Sequence, residues 1–435
     1  MRAKLIALGV IHLPIILLPF LRDRAHRTRS LRDRDETNTP RQLLVDVSII
    51  ASHDGKSGIQ RVVRALLSEL HTHPPTGFVV RPVEAARKRT YRYCGSFGLD
   101  DKTLAGQAVA VKVGDSFLGL DFASNVLPSR QYELLNWRRK GVNLWFIVYD
   151  LLPVLHDAWF TSRGVRAYRR WLRTLVVHAD ALFCISSAVE QELHEWLHCH
   201  CAAPFRGRSG WFHLGSDLDA GASSGRPLAI KHPDAANWHD KTILMVGTIE
   251  PRKGYAFVLD AFERLWRDGL ATRLVIVGGV GWSVDSLVAR IRTHREAGRR
   301  LVWLDKPDDE TLLHQYAQAD GLLMASEGEG FGLPLVEGAR KHLPILAHDL
   351  PVFREIGGEH IAYFADSAPQ ALAVDLIEWL QAIHDGSAPR SEGIRCLSWR
   401  ESAAQLRSLM EQSADAGQLQ RGARNAPFSR DQIIG

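Results

Sequence analysis

The sequence predicts an α/β protein of two doubly wound, Rossmann-like domains that face a cleft. Three observations predict it. The chain has 435 residues, too long for one ordinary core, so two domains are the default. Short apolar runs alternate with amphipathic stretches twice along the chain, the pattern of parallel sheets wrapped by helices. Between the two series, residues 220–240 turn to Gly, Ser, Pro, Asn and Asp, the composition of a linker.

In the first series, Leu43 to Ser48 reads as a strand and Ile59 to Leu70 as a helix with Val62, Val63, Leu66, Leu67 and Leu70 on one side. Strands are also expected at Ala108 to Val113, Asn143 to Val148 and Ala181 to Ile185. Helices are expected at Ser129 to Lys140, Arg163 to His178 and Ser187 to His198. The second series has strands at Thr242 to Val246, Arg273 to Val277, Leu301 to Leu304, Gly321 to Met324 and Pro344 to Ala347. Its helices are Tyr255 to Asp268, Ser283 to Ala297, Asp309 to Ala319 and Leu335 to Lys341. The expected division is a segment over 1–40, domains over 41–225 and 226–397, a closing helix over 398–412 and a loose tail over 413–435.

Bulk properties remove several function classes. The hydrophobic content of 46% and charged content of 24% are those of a soluble globular protein. The net charge is +5, but residues 1–40 hold eight Lys/Arg against four Asp/Glu, leaving about +1 elsewhere. No basic domain for nucleic acid is evident. Five cysteines form no disulfide framework, which fits a reducing compartment. Leu5 to Leu21 is nearly all apolar but contains His12, Pro14 and Pro19, and it is short of the ~20 apolar residues that span a bilayer. Arg22, Arg24, Arg27, Arg29, Arg32 and Arg34 follow, and the positive-inside bias places the body in the cytoplasm. Three readings of the segment stay open: an anchor or interfacial element at the inner leaflet, a disordered or mis-started extension, and a signal peptide. Against the last, no small-x-small cleavage site follows.

The chemistry gathers in the second half. Ser326-Glu327-Gly328-Glu329-Gly330-Phe331-Gly332-Leu333-Pro334-Leu335-Val336-Glu337 is a loop opening a helix, with Glu329 and Glu337 eight residues apart. Gly247 to Gly254 ends a strand and carries Arg252 and Lys253, cations that suit a diphosphate at the sheet's C-terminal edge. In the first half, Asp54 to Arg61 joins strand to helix, with Gly58 permitting close backbone approach and Arg61 adding charge. Asp150 ends the next strand, and His156 lies just beyond.

These motifs together resemble glycosyltransferase family 4, whose members have the GT-B fold and retain anomeric configuration. The matching runs are Gly247-x-x-x-Pro251-Arg252-Lys253-Gly254, Ala319-Asp320, Ser326 to Gly332 and the Glu329–Glu337 pair; the resemblance spans roughly residues 42–412, most strongly after 242. It implies a hexosyltransferase taking its sugar from a nucleoside diphosphate. Arg252 and Lys253 would bind the diphosphate, Glu329 the sugar hydroxyls and Glu337 the ribose. The backbone at Phe331, Gly332 and Leu333, with Gly247, would line the donor. An ionised carboxylate only accepts hydrogen bonds, which suits hydroxyl-rich ligands. The first domain would hold a glycan or lipid-linked acceptor near Gly58, Arg61, Asp150 and His156. No cofactor or metal beyond the nucleotide-sugar is implied. Family relatives carry His before the strand-end Asp, where Tyr149 stands here. The Gly-Ile-Gln-Arg and Tyr-Asp-Leu-Leu-Pro runs resemble bacterial mannosyltransferases of surface-polysaccharide assembly, so GDP-mannose is the expected donor.

Rival readings are a phosphorylase or nucleotide-sugar epimerase of the same fold, and a non-catalytic carbohydrate-binding or scaffold protein. His194-Glu195-Trp196-Leu197-His198 matches a zinc-protease signature, with Cys199, His200 and Cys201 adjacent. Its context fails, because Cys201 and Pro204 stand at the offsets where a metzincin needs Gly and His. No Glu follows from Cys199 through Ile249 to serve as the third ligand.

Overall fold

The computed structural model describes residues 6, 9–10, 13–26, 40–53, 55, 57–98, 102–217, 238, 240–365 and 368–424. Apart from Trp238 and Asp240, the linker expected over 220–240 lies outside them, as do Asp54 and Lys56 of the first loop.

The first sheet has seven strands: β1 (Arg41–Asp46), β2 (Phe78–Ala86), β3 (Arg89–Tyr93), β4 (Ser116–Gly119), β5 (Asn143–Val148), β6 (Ala181–Cys184) and β7 (Arg208–Trp211). Their order is β3-β2-β1-β4-β5-β6-β7, with only β3 antiparallel. The helix Gly58–Thr72 begins at a capping box, Ser57 and Gln60 each bonding the other's backbone N–H, and buries the apolar side expected for it.

Two features of this sheet depart from the expectation. Ala108 to Val113 is no strand; Ala108 makes one isolated bridge to Arg92, and the run is largely solvent-accessible. The position between β1 and β5 goes instead to β4, a four-residue strand buried throughout. Alternating Ala and Val imitated a strand, whereas a sheet centre covered on both faces needs Phe117 and Leu118 at 0% exposure. The sequence reading also passed over β2, which Pro82 interrupts, and β3, an edge strand carrying Arg89 and Arg92.

The second sheet is wholly parallel: β8 (Thr242–Val246), β9 (Arg273–Val277), β10 (Leu301–Leu304), β11 (Gly321–Met324), β12 (Ile345–His348) and β13 (Ala362–Phe364). Its order, β10-β9-β8-β11-β12-β13, is the doubly wound 3-2-1-4-5-6 arrangement. The chain reverses direction across the sheet between β8 and β11, and ligands prefer that switch point. Asp320 accepts from Thr242 N–H at 2.8 Å, so it ties the start of β11 to β8.

One apolar cluster joins the halves. It takes Leu118, Ile147 and Phe183 from the first and Leu322, Phe331 and Leu335 from the second. The closing helix runs from Trp399 to Arg424, longer than the expected 398–412 and through the start of the expected tail. It packs on the first domain: Arg407 donates to His73 O at 3.0 Å, and Gln405 accepts from His213 N–H at 2.9 Å. Trp399, Ala403, Leu406 and Met410 bury its apolar side in the shared cluster.

At the other end, a 3-10 turn Ile15–Leu17 and the helix Leu18–His26 lie against the helix Ser162–His178. Among the described residues no helix is long and apolar enough to cross a membrane.

Replacing Ser57 with Ala removes one half of the capping box. Denaturant unfolding should show a loss of about 1 kcal/mol, with the folded circular-dichroism spectrum unchanged.

Candidate functional site

The site lies at the C-terminal ends of β8 and β11, on either side of the switch point. After β8, Gly247 to Gly254 folds as a loop and a short 3-10 turn, Pro251–Lys253. After β11, Ser326 to Gly332 runs to the helix Leu333–Ala339. Arg252 and Lys253 come from one loop and Glu329 from the other, and they meet as an ion cluster. Arg252 reaches Glu329 Oε2 at 3.0 Å, and Lys253 donates to Glu329 Oε1, which also accepts from Ser326 Oγ at 2.9 Å. Burial alone would push the Glu329 carboxyl up; the charges of Lys253 and Arg252 outweigh it and hold the group down at about 2.

The two cations are not equivalent. Arg252 is fixed by three acceptors: Glu329, Gly328 O at 2.7 Å and Glu250 Oε1 at 2.8 Å. Lys253 has Glu329 as its ion-pair partner and lies over Gly247. Arg252 is therefore a strap on the glutamate loop, and Lys253 is the cation able to change partners. Glu250, which the sequence analysis passed over, is 4% exposed, and its Oε2 has no hydrogen-bond partner. Burial raises its carboxyl above the usual range.

Glu337 sits one helical stretch beyond. It is buried, accepts from Tyr316 OH at 2.7 Å, and is ion-paired with Arg61 of the first domain. The sequence reading assigned these two to opposite ligands, and the structure brings them together across the seam. Gly58 lies near Leu333, whose Cδ1 is 3.8 Å from where a Cβ would stand, an ordinary contact. Protein packing does not demand glycine there; any demand has to come from a ligand. Phe331 is buried with its ring 5.6 Å from His213, so only its backbone can serve a ligand. Gly332 has φ +99°, a left-handed conformation, and a Cβ would strike Phe353 at 2.7 Å.

The glutamate loop is seated on the first domain. A Cβ on Gly330 would stand 1.9 Å from Tyr149 O and 3.3 Å from Asp150 Cβ. Gly330 O accepts from Ser186 Oγ at 2.8 Å. Ser186 also caps the helix Ser187–His200 through Val189 N–H, so one hydroxyl serves both contacts. Asp150 thus stands beside the ion cluster. Burial raises its carboxyl, and Arg252 is the largest influence lowering it. Tyr149, standing where relatives carry His, points into the core and donates to Leu120 O at 2.7 Å. His156 is exposed and stacks on Trp159 at 4.1 Å, and Trp159 O accepts from Trp282 of the second domain at 2.8 Å. Of the first-domain tryptophans, Trp137, Trp145 and Trp171 are core residues.

Sequence reasoning missed Glu192. It sits on the helix Ser187–His200 with Oε2 buried and unpartnered, and burial first, then the charge of Asp150, pushes it up to about 7. Nothing in its sequence context marks it, because its neighbour Asp150 is 42 positions away. The zinc-like histidines go elsewhere: His194 bonds Ser209 Oγ at 2.8 Å and His200 bonds Trp196 O at 2.8 Å. Among the described residues no His/Cys/Asp/Glu group is arranged to hold a metal.

Residues 230–385 match the family model for Glycosyl transferases group 1. The second half is thus similar to group 1 glycosyl transferase domains. Over 377 residues the chain is 40% identical to the serotype-specific mannosyltransferase WbdA of Escherichia coli, covering 83% of this chain and 44% of that protein. The chain thus spans less than half the length of these curated mannosyltransferase relatives. A sucrose-phosphate synthase from Thermosynechococcus elongatus superposes over 88% of this chain and 99% of its own, with a TM-score of 0.56 at 16% identity. Anabaena HepE, solved with UDP and glucose, covers 86% of this chain and 100% of its own, with a TM-score of 0.57 at 13% identity. The fold is GT-B, with the second domain supplying the ion cluster and the first domain the surface on which it rests.

Two predictions follow from this geometry. Gly330→Ala places a methyl where Tyr149 O stands, so the protein should lose several degrees of thermal stability while Gly328→Ala, facing the more compliant Leu152 and Trp159 side chains, loses less. Because the folded Glu329 carboxyl lies below its unfolded value, its contribution is complete above about pH 4.5 and is lost as pH falls towards 2. That contribution is up to about 3 kcal/mol, and Glu329→Gln should flatten the acid limb of stability against pH.

Proposed function

We propose that the chain is a retaining hexosyltransferase that moves mannose from GDP-mannose to a glycan or lipid-linked glycan at the cytoplasmic face of the inner membrane. The observation that carries the reading is the Lys253–Glu329–Arg252 cluster at the switch point of the second domain, seated against Asp150 of the first. The likeness to WbdA, named a mannosyltransferase, supports the sugar.

In this reading the donor exchanges partners with groups already paired. Its diphosphate draws Lys253 from Glu329, and the freed carboxylate accepts from sugar hydroxyls. Ribose hydroxyls take up Glu337, which releases Arg61 toward the seam. Arg252 keeps its three acceptors and holds the loop still, so the charge placed on the leaving group is preorganised. The bond from the anomeric carbon to the β-phosphate oxygen breaks, and the acceptor oxygen bonds that carbon on the same face. The acceptor proton passes to the departing diphosphate. Asp150 orients the acceptor hydroxyl, and His156 stands further out at the mouth. The reaction needs positioning and charge stabilisation rather than a covalent nucleophile, and no resident metal is part of the proposal.

Lys253→Ala and Glu329→Ala should each lower transfer by roughly 10²–10³-fold with the folded spectrum retained; wild-type turnover in both would sink the assignment. Among GDP, UDP and ADP, GDP should give the largest thermal stabilisation, about 2.7 kcal/mol at a hundred times its Kd. Glu337→Gln should erode that stabilisation more than Asp150→Asn does. Consumption of inorganic phosphate, or sugar interconversion without acceptor, would point to the phosphorylase or epimerase alternatives.

A further inference from the structure

Exposed apolar surface is concentrated in the described N-terminal segment. Leu13, Ile16, Leu17 and Phe20 fall within eight residues, with Ile16 51% and Phe20 60% exposed. The other exposed large hydrophobics among the described residues, such as Tyr132, Trp211 and Val374, are scattered. Single exposed apolar residues are normal, but a cluster of this kind marks an interaction site.

The cluster is held in place rather than trailing. Arg22 is 4% exposed, donates to the carbonyls of Val176 and Ala179, and has its guanidinium 4.5 Å from the Phe205 ring. Arg173 Nε donates to Val10 O at 2.6 Å, and Ala202 N–H donates to Ile16 O at 3.1 Å. The backbone that presents Ile16, Leu17 and Phe20 is therefore fixed to the helix Ser162–His178 and to the loop at Ala202.

The helix beside it supplies the charge. Ser162–His178 contains Arg163, Arg166, Arg169, Arg170 and Arg173 and no acidic residue. Arg163, Arg166, Arg169 and Arg170 are exposed, with Arg169 reaching Asp157 at 3.2 Å. Arg206, also exposed, adds to the same side near Asp23 at 3.6 Å. Apolar tips bordered by exposed arginines are what an element needs to lie in the headgroup region, the former among the acyl chains and the latter on phosphates. A second copy of the chain fits poorly, because a two-fold contact through the patch would bring two arginine helices together.

We propose that this surface docks on an anionic phospholipid bilayer. It deepens, and rests on, the reading of a lipid-linked acceptor at the inner leaflet. The helix Ser162–His178 starts directly after Phe160, whose ring stacks on Trp282 of the second domain at 5.6 Å. One end of the arginine row is thus at the cleft mouth and the other beside the apolar segment, a path along which a bilayer-borne acceptor headgroup reaches the site.

The test is co-sedimentation of the full chain with vesicles of phosphatidylcholine alone or with about 30% phosphatidylglycerol. Binding should require the anionic lipid and weaken as salt rises. Ile16→Ser with Phe20→Ser should reduce it about tenfold or more. Separately, Arg163→Gln, Arg166→Gln and Arg170→Gln together should reduce it roughly a hundredfold without touching the apolar face. Both sets should keep wild-type thermal stabilisation by GDP-mannose, so loss of vesicle binding and failure of the transferase reading give different results. Equal binding to neutral vesicles, or binding unchanged in both sets, overturns the proposal. So does a dimer in light scattering that Phe20→Ser converts to monomer.

Discussion

Glu329 buried between Arg252 and Lys253 is the constraint on which the rest of the site depends. A carboxylate so placed is tolerable only because two cations and a hydroxyl satisfy it. Those cations can reach it only because β8 and β11 are neighbours in the sheet. The pairing fixes both loops at once, and through Gly328 O and Gly330 it fixes the surface offered to the first domain. Burial also pushes up the carboxyls of Glu250 and Asp150, which lie close to the same cluster.

The seam between the domains is made of contacts that also serve the site. Ser186 holds Gly330 O, and Arg61 holds Glu337. Glu355, from the second domain, accepts from Ser187 and Ala188 N–H at 2.8 Å each and from His213, so it caps a first-domain helix with a foreign carboxylate. The closing helix then returns to the first domain, and its apolar side enters the cluster that both halves share. A ligand that takes Glu337 or Glu329 therefore acts on the seam as well as on its own pocket.

The second domain was the more legible half. Its five expected strands match β8 to β12 within a residue, because each is a short β-branched or leucine-rich run bounded by Gly, Pro or Asp. The first domain was harder to read. β4 is four residues long, β2 contains Pro82, and β7 is Arg208–Trp211, with no periodicity to distinguish it. These strands exist because neighbours in the sheet need a partner, a tertiary demand that local pattern does not record. The site residues divide in the same way. Arg252, Lys253, Glu329 and Glu337 stand in local motifs, whereas Glu192 becomes notable only through its burial and the charge of Asp150, 42 positions away.

By itself the sequence determined the two α/β halves, the loops that carry charge and the residue types able to meet a diphosphate and hydroxyls. Those follow from periodicity and chemistry within a few residues of chain. Only the tertiary structure decided who holds whom: that Arg252 is strapped by three acceptors, that Lys253 pairs with Glu329, and that Arg61 closes on Glu337. It also decided that Gly330 must lack a side chain because Tyr149 O occupies the space. The reason is physical. Ion pairing and steric exclusion act over a few ångströms, and here the partners are 76, 181 and 276 residues apart, by position for Lys253–Glu329, Tyr149–Gly330 and Arg61–Glu337.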